Sequence, residues 1–244
     1  MRGRAVLFDL GGTLILLGKG PEGIWRRILE ENGIRRSEEE IGRVSNDTLP
    51  RVISSFGKLP SDEYWVLWNE AVLRGLGVED LDGLLTREIS DRFLTMAEPE
   101  AYEDVLPLLG ELRRMGIKLG IVSDAYVQEV EAILDIVGIP KEEFDVIVGV
   151  DTIGERKPSP ANFRRALEEM DVDPSECIFV GDDAIKDCEG AMGAGITPYL
   201  VVRDEKADPD PRFRSVSSLQ QVLTILQNEG EGSESGGSHA SRGS

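Results

Sequence analysis

One histidine, two cysteines and seven lysines are the whole supply of those residues in a chain of 244. The histidine, His239, stands in a Gly/Ser-rich tail, which leaves no imidazole in a folded domain for a Ser-His-Asp relay or a His-bound zinc. Cys177 opens an apolar run and Cys188 lies among small residues. Two thiols so placed form neither a disulfide framework nor a metal cluster, and both read as core filler. No stretch approaches the ~20 apolar residues of a membrane-spanning helix. The N-terminal Met-Arg-Gly-Arg leads straight into a strand-like segment and is too short for a secretory signal. These absences point to a cytoplasmic protein with no membrane partner. Positive charge is scarce as well, with 27 Lys and Arg against 46 Asp and Glu and a net charge of -19. Nucleic acid and anionic membrane surfaces would be repelled.

What is present is ordinary for a folded protein: 40% hydrophobic and 30% charged residues, in a length that suits one good-sized domain or a domain with an insertion. Short runs rich in Val, Ile and Leu at 5–10, 118–123, 144–150, 177–181 and 199–202 read as strands buried on both faces. Helical periods at 101–115, 126–137, 160–170 and 187–194 alternate with them, with Pro160 near a helix start and Gly116 and Gly138 just past helix ends. The expected fold is α/β, a Rossmann-like parallel sheet of five or more strands flanked by helices.

One interval breaks the alternation. Residues 20–99 contain no convincing strand, only amphipathic segments at 23–32, 38–45, 61–74 and 81–96. An inserted helical subdomain over 19–97 is therefore expected, with 1–18 and 98–227 forming the sheet domain. Trp25, Tyr64, Trp65, Trp68 and Phe93 read as its core. From 228 onward Gly, Ser and Glu dominate without an apolar cluster, the composition of a disordered tail. In open parallel sheets ligands gather beyond the C-terminal strand ends. Those ends are Asp9, Ser123 and Asp182, with Lys157 in the loop after the third strand. A carboxylate that can attack phosphorus, a hydroxyl and an ammonium that can hold phosphoryl oxygens, and a further carboxylate for a hard cation form a coherent set.

Four segments in order carry a resemblance: Val-Leu-Phe-Asp-Leu-Gly-Gly-Thr-Leu (6–14), Leu-Gly-Ile-Val-Ser-Asp-Ala (119–125), Glu-Arg-Lys-Pro-Ser-Pro (155–160) and Phe-Val-Gly-Asp-Asp-Ala-Ile-Lys-Asp-Cys-Glu-Gly-Ala (179–191). The chain resembles the haloacid dehalogenase-like hydrolases, with a helical cap after the first motif. The resemblance implies that Asp9 is a nucleophile that forms an aspartyl-phosphate. It implies Mg²⁺ held by Asp9, the Gly11 carbonyl and Asp182, with Asp187 as a further ligand or as the group orienting metal-bound water or Lys157. Ser123 and the amides of Asp124 and Ala125 would hold phosphoryl oxygens, Lys157 would neutralise charge, and Thr13 would orient Asp9. Asp183 falls just outside the metal, or is a solvated acid. Lys19 and Tyr126 are candidates at the entrance, with substrate choice lying in the cap. The implied substrate is a small phosphorylated metabolite, and the implied assembly a monomer or homodimer.

The chain departs from the family pattern at Gly11, where most phosphatases of this kind carry an Asp that protonates the leaving group and then activates water. Glycine keeps a carbonyl but supplies no acid, so good leaving groups are favoured. Three other readings compete. Asp-Leu-Gly-Gly-Thr also resembles the first phosphate loop of actin-like ATPases, with 14–17 as a return strand. No second such loop follows, and the Lys-Pro and Gly-Asp-Asp segments would go unexplained. A 2-haloacid dehalogenase or phosphonatase-like enzyme also tolerates change at position 11, but three acids converging on Asp9 call for a cation. A phosphoryl-binding regulator with decayed catalysis would fit the missing acid.

The cationic residues are 20 Arg and 7 Lys, and this acidic, Lys-poor surface suits a saline cytoplasm. The expected outcome is a melting temperature that rises in molar salt, measured by scanning fluorimetry; a flat or falling curve would remove the halophilic reading.

Overall fold

The computed structural model describes residues 5–204 and 208–234, the last stretch from 228 as backbone only. Six parallel strands form one sheet, in spatial order β5 (Val146–Val148), β4 (Lys118–Val122), β1 (Ala5–Phe8), β6 (Cys177–Gly181), β7 (Thr197–Val201) and β8 (Arg214–Val216). Strand β1 lies centrally, with Phe8 aligned to Ile121 on one side and Val180 on the other. Because all strands run the same way, the residues after β1, β4 and β6 reach one edge of the sheet together. Asp9 is fixed there by its own amide, which donates to the Val180 carbonyl at 2.9 Å.

Side chains of β1 alternate between two cores, as the period of a strand requires. Val6 and Phe8 join a cluster with Leu108 and Leu112 of α5 (Val105–Arg114), Val130 and Leu134 of α6 (Val127–Val137), and Val222 and Leu226 of α10 (Gln220–Glu234). Ala5 and Leu7 join Phe163 and Leu167 of α8 (Pro160–Met170) and Ala191 of α9 (Gly190–Gly193) on the opposite face. The sheet is thus covered on both sides and Rossmann-like, as the unbroken apolar strands anticipate. Cys177 and Cys188 are buried and unpaired. Among the described residues, no helix is long and apolar enough to cross a membrane.

Between β1 and α5 the chain forms β2 (Ile15–Leu17), four helices α1 (Pro21–Glu31), α2 (Glu38–Val52), α3 (Ser61–Gly75) and α4 (Leu84–Met96), then β3 (Pro99–Ala101). Pro21 opens α1, and the Ser37 hydroxyl caps α2 by accepting the Glu40 amide at 3.1 Å. The helices enclose their own apolar cluster, which includes Ile24, Trp25, Ile28, Ile41, Val72 and Ile89. Strands β2 and β3 pair antiparallel as the chain enters and leaves this segment. The return strand at 15–17 therefore exists, but it pairs with 99–101 rather than forming the hairpin of an actin-like phosphate loop.

The helical segment touches the sheet domain through Val52, Phe56, Leu59, Tyr64, Trp65 and Trp68, packed on Tyr126 and Val150. The Tyr126 hydroxyl accepts the Gly57 amide at 3.0 Å, and Glu129 accepts from Ser61 Oγ at 2.7 Å and from Trp65 Nε1. Tyr126 is fully buried here, which corrects its placement at the entrance. Its ring fills the seam and its polar tip is satisfied by backbone. The α10 backbone is helical from Gln220 to Glu234. His239 lies outside the described residues.

Candidate active site

Lys157 is the hub of the edge where Asp9 lies. Its buried ammonium donates to Asp9 Oδ1 and, at 2.7 Å, to Asp187 Oδ1. Asp9, Asp182 and Asp187 each present a carboxylate oxygen within 4.8 Å of the others. One ammonium thus faces three acids. Burial, with the nearby Asp187 and Asp182 adding to it against the opposing pull of Lys157, pushes the Asp9 carboxyl from 3.8 up to about 7. Burial and then Asp187 push Asp182 up as well. Burial would lower Lys157, but Asp9 and Asp187 together outweigh it and hold the ammonium above its ordinary range.

The backbone permits this crowding at two glycines. Gly12 has φ of +78°, and a Cβ there would stand far inside van der Waals contact with Asp182 Oδ2. At Gly181 a Cβ would collide in the same way with the Asp187 carboxylate. After Asp182 the chain takes a π-helical turn, Ala184–Glu189, in which the Cys188 amide bonds the Asp183 carbonyl at 3.2 Å. Such widened turns recur at functional sites. Asp183 Oδ1 caps this turn by accepting the amides of Ile185 and Lys186 at 2.9 Å, so its side chain does structural work. The Asp183 amide in turn donates to Asp187 Oδ2 at 3.0 Å. Both oxygens of Asp187 are therefore engaged, one by Lys157 and one by backbone.

Ser123 follows β4 and its amide donates to the Val148 carbonyl at 2.9 Å. Its Oγ accepts the Ala125 amide at 3.1 Å, so that amide is turned to Ser123 rather than left open. The Asp124 side chain accepts the Lys157 amide at 2.8 Å, and Asn162 Nδ2 donates to the Glu155 carbonyl at 2.7 Å. These two side chains tie down the loop that carries Lys157. The sequence singled out Asp124 for its amide alone and passed over Asn162. Thr13 is fully buried and its Oγ1 has no hydrogen-bond partner, so the expected bond to Asp9 is not formed. Lys19 is paired with Glu98 beside β3. Gly11 is exposed, lies outside the left-handed region, and has nothing within 4 Å of where a Cβ would be.

Gly11 and Gly12, neighbours in sequence, should therefore respond in opposite ways. Gly12→Ala should cost at least ~1–2 kcal/mol from its left-handed backbone alone, with the clash on Asp182 added. Gly11→Ala should stay within ~1 kcal/mol of wild type. Urea denaturation of the two variants measures both; equal losses would contradict the packing at Gly12.

The haloacid dehalogenase-like hydrolase family matches residues 4–195. A glyceraldehyde 3-phosphate phosphatase from Methanopyrus kandleri is 32% identical over 86% of this chain and 88% of its own. A phosphoglycolate phosphatase from Rhodospirillum rubrum is 29% identical over 82% of this chain and 79% of its own. Among solved structures, a 2-haloacid dehalogenase from Pseudomonas syringae superposes with a TM-score of 0.73 over 93% of this chain and 99% of that one, at 23% identity, a likeness of fold. With the motifs at the strand ends and the family match over most of its length, the chain belongs to the haloacid dehalogenase-like hydrolases and is an enzyme.

Proposed function

We propose that this hydrolase is a Mg²⁺-dependent phosphatase acting on small phosphorylated metabolites, with Asp9 as nucleophile. The observation that carries the reading is the charge of the site, where three carboxylates converge on one ammonium. With all of them ionised the cluster carries a surplus of two negative charges, which suits a divalent cation held by oxygen ligands. The phosphatase relatives support the same class of chemistry.

In this mechanism Asp9 and Asp182 would supply carboxylate ligands to the cation and Gly11 its carbonyl, with Asp187 beside them. Bound Mg²⁺ would draw electron density from the phosphoryl group and offset its charge. Asp9 attacks phosphorus, the bond to the leaving oxygen breaks, and an aspartyl-phosphate forms. Water then cleaves that acyl phosphate, freeing inorganic phosphate and the carboxylate. Lys157 and Ser123 hold the equatorial oxygens as their charge builds. Asp187 keeps Lys157 aimed, and Asp124 together with Ala125 shapes the loop around Ser123. Residues 19–97 act as the cap that selects substrate. Gly11 supplies no proton, so the leaving group must depart without help.

Release of p-nitrophenol from p-nitrophenyl phosphate with Mg²⁺, and its loss in Asp9→Asn, are the expected results. Halide release from 2-chloropropionate without phosphatase activity would sink the proposal, and a stable beryllofluoride adduct with no turnover of any phosphate would favour a regulator. Because general acid help is worth about 10²–10⁴-fold, Gly11→Asp should raise turnover of alkyl phosphates by about 10²-fold while changing aryl phosphates little.

The raised Asp9 carboxyl sets a pH dependence. Without a cation, its ionisation in the fold costs stability progressively as pH rises from 3.8 towards 7. At pH 5 a proton must leave Asp9 before metal binds, whereas at pH 8 it has already gone. Mg²⁺ should thus raise the melting temperature more at pH 8 than at pH 5. An equal gain at both would mean that Asp9 is not a ligand.

A further inference from the structure

Arg203 follows β7 at the same edge of the sheet and belongs to none of the four motifs. Its Nη1 donates to both oxygens of Asp104, at 2.9 and 2.8 Å, and its Nη2 donates to the Thr13 carbonyl at 2.7 Å. The guanidinium lies 3.9 Å over the Tyr102 ring, and Tyr102 donates its amide to the Leu14 carbonyl at 3.1 Å. Asp104 Oδ2 also accepts the Leu219 amide at 2.8 Å. Arg203 therefore grips the nucleophile loop at Thr13 and stacks on the residue that grips it at Leu14.

The rest of that loop is closed by its own bonds, Leu14 and Ile15 amides to the Leu10 carbonyl and Gly12 amide to the Ile15 carbonyl. Gly12 sits one residue before Thr13 and is pressed on Asp182 so closely that no Cβ fits. The Thr13 carbonyl held by Arg203 and the Gly12 backbone packed on Asp182 thus lie in one short, internally bonded loop that begins at Asp9. The charge of Arg203 is already met by Asp104, so its bond to Thr13 is a separate, directional contact that a planar fork can make at the same time.

We propose that Arg203 is a positioning residue which, through the Thr13 carbonyl, sets the distance between the Asp9 loop and Asp182 in the proposed metal and phosphoryl site. This rests on the metal reading above.

The test compares Asp104→Asn, which retains the Arg203–Thr13 bond, with the double variant Arg203→Met/Asp104→Asn, which loses it without stranding a half-buried acid. Mn²⁺ binding to resting protein, read by electron paramagnetic resonance, reports on the site without turnover. Removing groups that orient metal ligands typically costs about 10–100-fold in affinity or activity, so the double variant should bind Mn²⁺ about 10-fold more weakly than Asp104→Asn. Its kcat on p-nitrophenyl phosphate should fall by a similar factor, with KM nearly unchanged. Arg203→Lys, which keeps charge but not the fork, should lie between, and it is read in the same way if the double variant does not fold. A folded double variant with the Mn²⁺ affinity and kcat of Asp104→Asn would overturn the proposal and leave Arg203 a purely structural ion pair. Wild-type protein that bound no Mn²⁺ would instead overturn the metal reading, and this inference with it.

Discussion

The buried ammonium of Lys157, shared between Asp9 and Asp187, is the contact on which the rest of the site depends. Charges out of water are tolerated only when paired and hydrogen-bonded, and removing one partner of such a pair costs about 3–5 kcal/mol. Here the pairing is deliberately incomplete in electrostatic terms, because a third acid, Asp182, stands close by. Lys157 can satisfy two carboxylates by direct bonds, while burial, with Asp187 and Asp182 adding to it, raises the Asp9 carboxyl. A cluster of this kind is poised to accept positive charge, and that is the property the proposed mechanism uses.

Holding four charged groups together requires backbone that gets out of the way and loops that do not drift. The parallel sheet delivers Asp9 and Asp182 from adjacent strands in fixed register. Gly12 and Gly181 clear the backbone, letting carboxylates lie against main chain where any side chain would collide. The loop of Lys157 is fastened from two directions, by Asp124 to its own amide and by Asn162 to the Glu155 carbonyl. The polar groups doing the fastening come from α8 and from the end of β4, both anchored in the apolar layers on either face of the sheet.

The parts legible in the sequence were those with a local signature. Apolar runs buried on both faces marked all five of the strands expected, and the acids and lysine at their ends came together as the motif order implied. Strand β3 was hidden by its length of three residues, β2 was legible only as a return strand at 14–17 whose partner the sequence did not reveal, and β8 carries one buried residue in its three. Tyr126 was a candidate at the entrance, whereas its hydroxyl meets the Gly57 amide of a distant helical segment, a pairing that no local pattern announces. Asp183 read as part of an acidic site, yet its position before a π-helical turn makes it a cap. Arg203 left no trace, since a guanidinium and a carbonyl 190 residues apart share no pattern until the fold joins them.

Gly11 now separates from Gly12 on physical grounds. Gly12 is glycine because its φ and the Asp182 carboxylate leave no room for anything else. Neither constraint acts at Gly11, where the backbone is outside the left-handed region and the space beyond Cα is open. The fold would accept an aspartate there, so the lack of a proton donor is not a by-product of packing. Under the proposed mechanism the cost of that lack falls on the departing group and on the water that cleaves the aspartyl-phosphate, since attack by Asp9 and charge neutralisation by Lys157 do not need the missing acid. An acyl, aryl or anhydride oxygen can leave as an anion at little cost, while an alkoxide cannot. The open space at residue 11 is thus where leaving-group preference would be set, independently of the helical segment that would recognise the rest of the substrate.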